Sequence, residues 1–477
     1  MPEPRAGRAF YRYAALSQRL NNLRGDPELP AQNIRDWLQD HPEIESVFAC
    51  VCDLNGTMRG KRLPIEKAKS IMDGGLRMPL SVLSVDIWGE DIENNELVFE
   101  TGDSDGICEH TGRPMVLVNW TSRPSALAMF WMQTDDGVPF PGDPRHALAS
   151  IVDRYKARGL TPVVATELEF YICDPSGAQP LPPCSPVTGK RLDSDGALSL
   201  DELQHFDAFL NDVYDACHEQ GIPADAAISE NGAGQFEINM VHVADPLQAA
   251  DDAVLFKRLV RGIARKHGFA ATFMAKPYGD RSGSGFHVHF SLVDENGVNL
   301  FDNGGDEGTP LMLNAVAGLL ETMQENTLTF APHENSYRRL LPGAHAPTSV
   351  AWGYENRTAA IRIPGGSPKA RRIEHRVAGA DANPYLVLAS ILGGALVGIE
   401  EGLEPSAPIE GDAYSMKLDH LPLDWATAIQ AFRRGKHVEN VYSKRLQTML
   451  VECKMQELKR FSRYVTDFEY DTYLEIV

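Results

Sequence analysis

Glu167-Leu168-Glu169 sits in a run, 163–173, rich in β-branched and aromatic residues. Side chains alternate along a strand, so both carboxylates share one face while Leu168 and Phe170 turn toward apolar packing. Two like charges side by side repel, and something positive must hold them. His287-Val288-His289 repeats the device after Gly283-Ser284-Gly285, with both imidazoles on one face. Glu230 and Glu237 flank Gly232, Gly234 and Gln235 and offer two more carboxylates. The densest signal is Arg372-Ile373-Glu374-His375-Arg376, where strand alternation sets a carboxylate between two guanidiniums. Arg362, Arg357 and Arg338-Arg339 lie upstream, and a guanidinium fork suits carboxylate and phosphate. Each piece alone also fits a bland reading: a solvated strand edge, a core histidine pair, a surface ion-pair network. Together, five carboxylates and a histidine beside an arginine cluster point to hard divalent cations next to a phosphorylated ligand. Such an oxygen-rich set favours Mg²⁺ or Mn²⁺ over Zn²⁺. No GK[ST] follows the glycines of 279–289, and these do not join a strand to a helix, so neither a P-loop nor a dinucleotide fingerprint is present. The chemistry reads as metal-dependent phosphoryl transfer without a Walker motif.

Strands must aim these residues. The pattern predicts strands over 45–54, 82–88, 115–120, 126–134, 161–173, 227–240 and 271–275. Helices are expected over parts of 11–41 and over 143–159, 200–220 and 246–267, with a mostly helical stretch from Asp424 on. Asp143-Pro144 supplies a cap and a first-turn proline, and Gly159 a stop. The stretch 175–199 reads as a long loop. Strand runs with interspersed helices predict an α+β fold rather than regular βαβ winding. The polar, glycine-rich 101–112 marks an expected boundary between an N-terminal domain, 1–112, and a C-terminal domain, 113–477.

Composition narrows the partners. Hydrophobic residues make up 43% and charged ones 23% of 477 residues, so the chain can bury a large core and is not fibrous or disordered. Acidic residues number 66 against 45 basic, a net charge of −21 that repels nucleic-acid backbones and anionic lipid. No nucleic acid and no membrane is therefore expected as a partner. Seven scattered cysteines without a CxxC pair argue against a disulfide framework and for a reducing compartment. The first ten residues contain no apolar run, and the apolar stretch 385–399 is too short to cross a bilayer. A cytoplasmic location is expected.

The ordered motifs resemble the glutamine synthetase superfamily over most of the chain. They are Asp53-Leu54-Asn55-Gly56 with Arg59-Gly60-Lys61; Glu167-Leu168-Glu169-Phe170; Gly234-Gln235-Phe236-Glu237; Lys276-Pro277 with 283–289; Asn335 to Leu340 with Pro342-Gly343; Asn356-Arg357 with Arg362-Ile363-Pro364; and Ser367 to Glu374 followed by Ala382-Asn383-Pro384-Tyr385. Several of these segments are most similar to the γ-glutamylpolyamine synthetase branch, γ-glutamylputrescine synthetase-like enzymes. The resemblance implies a small β-grasp-type N-terminal domain and a C-terminal catalytic domain whose curved antiparallel sheet forms an active-site barrel. It implies a homo-oligomer, one hexameric ring or two stacked rings, in which a neighbour's N-terminal domain closes each site. It implies ATP and two or more Mg²⁺ or Mn²⁺ ions, one held by Glu169, Glu230 and Glu237 and another by Glu167, His287 and Glu374. Glutamate would be held by Arg339, Arg376 and the backbone at Gly283. Arg357 and Arg372 would stabilise the transferred phosphoryl group. Arg362, His289, Ser291 and Lys369 would line the nucleotide.

Two departures bear on the second substrate. The family carries a glutamate on the flap after its Pro-Gly, where it helps bind and deprotonate ammonium. In this chain the segment reads Pro342-Gly343-Ala344-His345-Ala346-Pro347, with His345 in that place. The Asp-Gly-Ser-Ser of the ammonium pocket becomes Asp86-Ile87-Trp88-Gly89, keeping only Asp86. An imidazole supplies no fixed negative charge, so the expected nucleophile is an organic amine, a polyamine or a monoamine, with His345 as candidate base. Trp88 is a candidate lining for a bulkier amine. The family's adenylylation context is missing around Tyr414, so no such control is expected.

Overall fold

The computed structural model describes residues 34–71, 75–93, 95–99, 102–177, 179–341 and 343–477. The helices expected before residue 34, and Pro342, lie outside them.

Two sheets organise the chain. The first has six strands: β1 Ser46–Cys52, β2 Met58–Pro64, β3 Arg77–Pro79, β4 Asp105–His110, β5 Val116–Leu117 and β6 Ser125–Gln133. Their order is β2-β1-β6-β4-β3, with β5 on β6. β1 and β6 run parallel, Ser46 opposite Ser125 and Cys50 opposite Met129. The expected boundary at 112 therefore falls inside this sheet. The polar 101–112 contains strand β4, whose Gly106 and Cys108 are buried while Asp105 and Glu109 face out. A half-exposed strand is polar enough to look like a linker. The strand expected over 82–88 is instead a 3₁₀ turn, Leu80–Leu83, followed by a turn around Asp86. The Asp86 carboxylate accepts from the backbone N–H groups of Trp88 and Glu90 and from Gln456, which bends the chain there.

The second sheet has eight strands: β7 Thr161–Cys173, β8 Ala224–Ser229, β9 Gln235–Met240, β10 Ala270–Thr272, β11 Phe286–Val293, β12 Trp352–Tyr354, β13 Ile361–Ile363 and β14 Ile373–His375. The order is β12-β13-β14-β11-β7-β9-β8, with β10 on β7, and all pairs but β12–β13 are antiparallel. This α+β arrangement forms a nearly closed, barrel-like sheet. The single strand expected over 227–240 is a hairpin. Gly234 at φ +78° and the Gln235 side chain, which accepts from the Gly232 N–H, turn the chain back after Glu230.

The back of this sheet is the core. Phe170 of β7 meets Phe209, Phe236, Phe256 and Phe273, with ring centroids 5.5–6.5 Å apart. Truncating such a ring costs roughly 3–5 kcal/mol, so Leu168 and Phe170 fix the strand that points Glu167 and Glu169 the other way. The helix Pro246–Lys266, capped by Asp245, covers that face. The helix expected over 200–220 breaks at Phe206, where the backbone leaves helical geometry at φ −106° and ψ 19°. The helix Pro384–Glu401 is apolar all round because it is buried: Gly318 of the helix Pro310–Phe330 lies so close that a Cβ there would sit 2.3 Å from the Gly394 carbonyl.

A buried polar joint ties the turn after β1 to two helices of the C-terminal half. Asn383 donates to the Asp53 carbonyl at 2.9 Å. Lys454 and Glu457, on the helix Lys444–Phe461, pair at 2.9 Å with no exposure, and Asn55 donates to Glu457 at 3.2 Å.

Candidate active site

The cross-strand register builds the site. On β7, Glu169 stands opposite Glu237 of β9, which stands opposite Ile228 of β8. Two residues along β7, Glu167 stands opposite Asn239 on one side and His287 of β11 on the other. On β11, His289 stands opposite Glu374 of β14, which stands opposite Arg362 of β13. One face of one curved sheet therefore carries Glu167, Glu169, Glu237, Glu374, His287 and His289, and these side chains, with Glu230 just beyond β8, line a cavity of about 630 Å³. Gly283, Arg339, His345, Arg357, Arg362, Arg372 and Arg376 line it too.

Burial and carboxylate crowding together set the electrostatics on one side. Burial, and then the neighbouring Glu167, Glu169 and Glu230, push the Glu237 carboxyl up to about 9. Burial and then Glu169 push Glu230 up to about 7. Burial would raise Glu167 as well, but hydrogen bonds from His287 at 3.3 Å and His289 at 2.9 Å bring it below the usual carboxylate range. Glu169 is held by the Gly285 N–H at 2.9 Å and by Gln235 at 3.1 Å.

Arginines dominate the other side. Arg362 donates to one oxygen of Glu374 at 2.7 Å and Arg376 donates to the other. Burial acts to raise Glu374, but Arg376, then the two histidines and Arg362, outweigh it and keep the carboxyl low. Arg372 donates through Nε to His289 Nδ1 at 3.1 Å. A guanidinium has no acceptor, so His289 carries its proton on Nε2, facing Glu167. Arg339 is buried and donates to the Val377 carbonyl at 2.7 Å.

The donor set fits divalent cations. Burial, and then the crowding of four glutamates, pushes two of them toward protonation, and His287 binds Glu167 through Nδ1, leaving Nε2 available. Ligand atoms of Glu167, Glu237 and His287 lie within 4.8 Å of one another, as do those of Glu167, His289 and Glu374. These trios differ from the sets the resemblance implies: His289 stands with the acids, and Glu169 and Glu230 belong to neither trio.

Three expected residues are not brought to this cavity. Ser291 and Lys369 do not line it, and Asp86 is engaged in its own turn in the first sheet. Trp88 packs under the Arg460 guanidinium, 4.0 Å from the ring centroid, and beside Phe461. Other lining residues gave no sequence expectation. Asn239 shares the face of Glu237 by strand alternation and was findable once the hairpin is known. Leu198, Ser282, Thr358 and Tyr414 come from loops, where no periodicity marks them.

The family model for the glutamine synthetase catalytic domain matches residues 141–473, more than half of the chain. The chain belongs to the glutamine synthetase family. Enzymes of this family use ATP and divalent metal ions. Gamma-glutamylputrescine synthetase PuuA of Escherichia coli (strain K12) is 38% identical, covering 93% of this chain and 94% of that relative. Glutamate–isopropylamine ligase of Pseudomonas sp is 31% identical, covering 93% and 98%. A solved complex of GmaS with ADP superposes with a TM-score of 0.80 at 25% identity, covering 92% of this chain and 98% of that one. Within the family, the histidine at 345 stands on a segment of the cavity wall and has a left-handed backbone, φ +59°.

Proposed function

We propose that this protein is an ATP-dependent ligase that joins the γ-carboxylate of glutamate to an organic amine through γ-glutamyl phosphate. One observation carries the reading: a ring of glutamates and a set of arginines face each other across one cavity, and the flap beside them offers His345 where the family uses a carboxylate. Relatives named for putrescine and isopropylamine support an amine rather than ammonia.

In this reading Arg339, Arg376 and the backbone at Gly283 hold glutamate, Arg362 and His289 hold the nucleotide at the cavity, and Ser291 and Lys369 meet it beyond the cavity lining. Glu169, Glu230 and Glu237 hold one cation and Glu167, His287 and Glu374 another. Bound Mg²⁺ or Mn²⁺ supplies Lewis-acid neutralisation of the phosphate oxygens. A γ-carboxylate oxygen attacks the terminal phosphorus of ATP, and ADP leaves with the bonding electron pair. Arg357 and Arg372 stabilise the charge that spreads over the transferred oxygens. The amine nitrogen then attacks the acyl carbon, phosphate leaves, and His345 takes the surplus proton. The flap imidazole leaves room and no fixed negative charge, so ammonium is a poor substrate. Seven unpaired cysteines support a cytoplasmic location. A ring of subunits, single or stacked, would bring Asp86 of one chain to the cavity of the next, since it does not line its own.

The test is product identification by mass spectrometry after incubation with ATP, Mg²⁺, glutamate and a panel of amines that includes ammonia. One or more γ-glutamyl amides should form with equimolar ADP and outpace glutamine. Glutamine as the main product would make ammonia the nucleophile, and no ADP with any amine would remove the ligase reading.

A further inference from the structure

We propose that Tyr414 is a positioning residue that straps the flap to the turn bearing Arg357 and so keeps water from the acyl phosphate between the two chemical steps. The inference rests on the ligase reading and adds a role to a residue outside the acid and arginine sets.

Tyr414 lines the cavity, and its hydroxyl donates to the Ala346 carbonyl at 2.8 Å. Ala346 is fully buried, whereas the adjoining His345 is exposed and left-handed at φ +59°. That conformation is costly for a residue with a Cβ and persists only where neighbours hold it. The holds are visible on both sides: the Ala344 N–H donates to the Leu341 carbonyl at 3.1 Å, and the Ala346 carbonyl takes the phenol.

The other end of the strap is equally defined. Tyr414 lies in the short turn Ala413–Ser415, capped by Asp412, whose carboxylate accepts from the Tyr414 N–H. The Ala413 N–H donates to Thr358 Oγ1 at 3.0 Å, and Asn356 donates to the Gly411 carbonyl at 2.8 Å. Asn356 Oδ1 in turn accepts from the Thr358 N–H and hydroxyl. Residues on either side of Arg357 therefore grip the segment that carries Tyr414. The charged groups acting on the phenol are Arg339, Arg376 and Asp412, so the ring stands beside the arginines proposed for glutamate. An acyl phosphate in an open site is hydrolysed, and a flap tied at this point excludes water while the amine enters.

The experiment compares the full-length wild type with Tyr414→Phe, which keeps the ring and removes only the donor. ADP and amide are measured with ATP, Mg²⁺ and glutamate, with putrescine and isopropylamine as probe amines. Losing one such bond shifts the open-to-closed ratio of the flap by about 5-fold. Amine-independent ADP release should rise by about that factor, and amide per ADP should fall from near one to below about one half. Amide exchange of a peptide spanning 343–347 should quicken similarly, with the rest of the chain unchanged. Thr358→Val cuts the opposite end and should move the same readouts. Wild-type stoichiometry together with wild-type flap exchange in Tyr414→Phe overturns the proposal. If the wild type itself releases no ADP with any amine, the ligase reading fails, and flap exchange alone decides the strap.

Discussion

Gly285 lies where three functional side chains converge, and Gly285→Ala tests whether they work as a set. A Cβ at 285 would stand 2.8 Å from His287 Nε2, 2.9 Å from an Arg339 guanidinium nitrogen and 3.1 Å from Glu169 Oε1. Carbon needs about 3.4 Å or more, so each group must retreat by roughly half an ångström. Two of the three are tethered. Arg339 is tied to the Val377 carbonyl, and Glu169 receives both Gln235 and the Gly285 N–H itself. The displaced atoms are side-chain ends rather than backbone, so the fold should survive with a cost of about 1–2 kcal/mol. A misplacement approaching 1 Å in a reacting assembly costs about 10²-fold in rate, or about 2.7 kcal/mol. The assay is amine-dependent ADP release, read as kcat/KM, with the thermal unfolding midpoint beside it. We expect kcat/KM to fall about 10²-fold and the midpoint to move by only a few degrees. A variant within threefold of wild type, still folded, would refute the reasoning that these three side chains form one working set. Gly283→Ala is the contrast: its Cβ would sit 2.6 Å from the Ala275 carbonyl, a backbone atom, and should compromise folding.

Arg376→Lys keeps the charge but loses the fork that reaches Glu374, so the glutamate KM should rise at least about 20-fold with the ATP KM within about threefold. The reverse pattern in steady-state kinetics would move Arg376 to the nucleotide. His345→Glu restores a fixed negative charge to the flap and should raise ammonia-dependent kcat/KM about 10-fold at the expense of the amine. No gain, in an enzyme that already makes glutamine well, would leave His345 without a role in amine choice. Burial raises the Glu457 carboxyl, but Lys454, then His333, bring it from 4.5 down to about 2. A depressed carboxylate contributes stability above its unfolded pKa and loses it as pH falls through the folded one. The stability gap between wild type and Glu457→Gln should therefore narrow by on the order of 3 kcal/mol between pH 4.5 and 2 in urea titrations. A gap constant across that window would mean that the carboxylate is not ionised in the fold.

Strand alternation made most of the site legible. Glu167 with Glu169 and His287 with His289 share a face because period 2 leaves no alternative once each run is a strand. The same rule aligned Arg372, Glu374 and Arg376, all of which line the cavity. The hairpin between Glu230 and Glu237 was not legible as two strands, because a glycine-bearing turn between apolar runs also fits one bulged strand. The boundary expected at 112 falls inside the first sheet because β6 pairs in parallel with β1 across some seventy intervening residues, and local composition carries no trace of such pairing. Asp86 and Trp88 lie away from this chain's cavity, and the local turn that the Asp86 carboxylate builds with the N–H groups of Trp88 and Glu90 leaves no periodic trace in the sequence. Tyr414 had no local signal, since its partner Ala346 is fixed only by the fold.

Glutamate labelled with ¹⁸O in its γ-carboxylate gives the most direct measurement of the chemistry. If that carboxylate attacks ATP, one labelled oxygen passes to inorganic phosphate for every amide formed, and mass spectrometry of the phosphate should show a transfer ratio near one. Amide that accumulates while the phosphate stays unlabelled would contradict an acyl phosphate and, with it, the proposed roles of the arginines and the cation-binding glutamates.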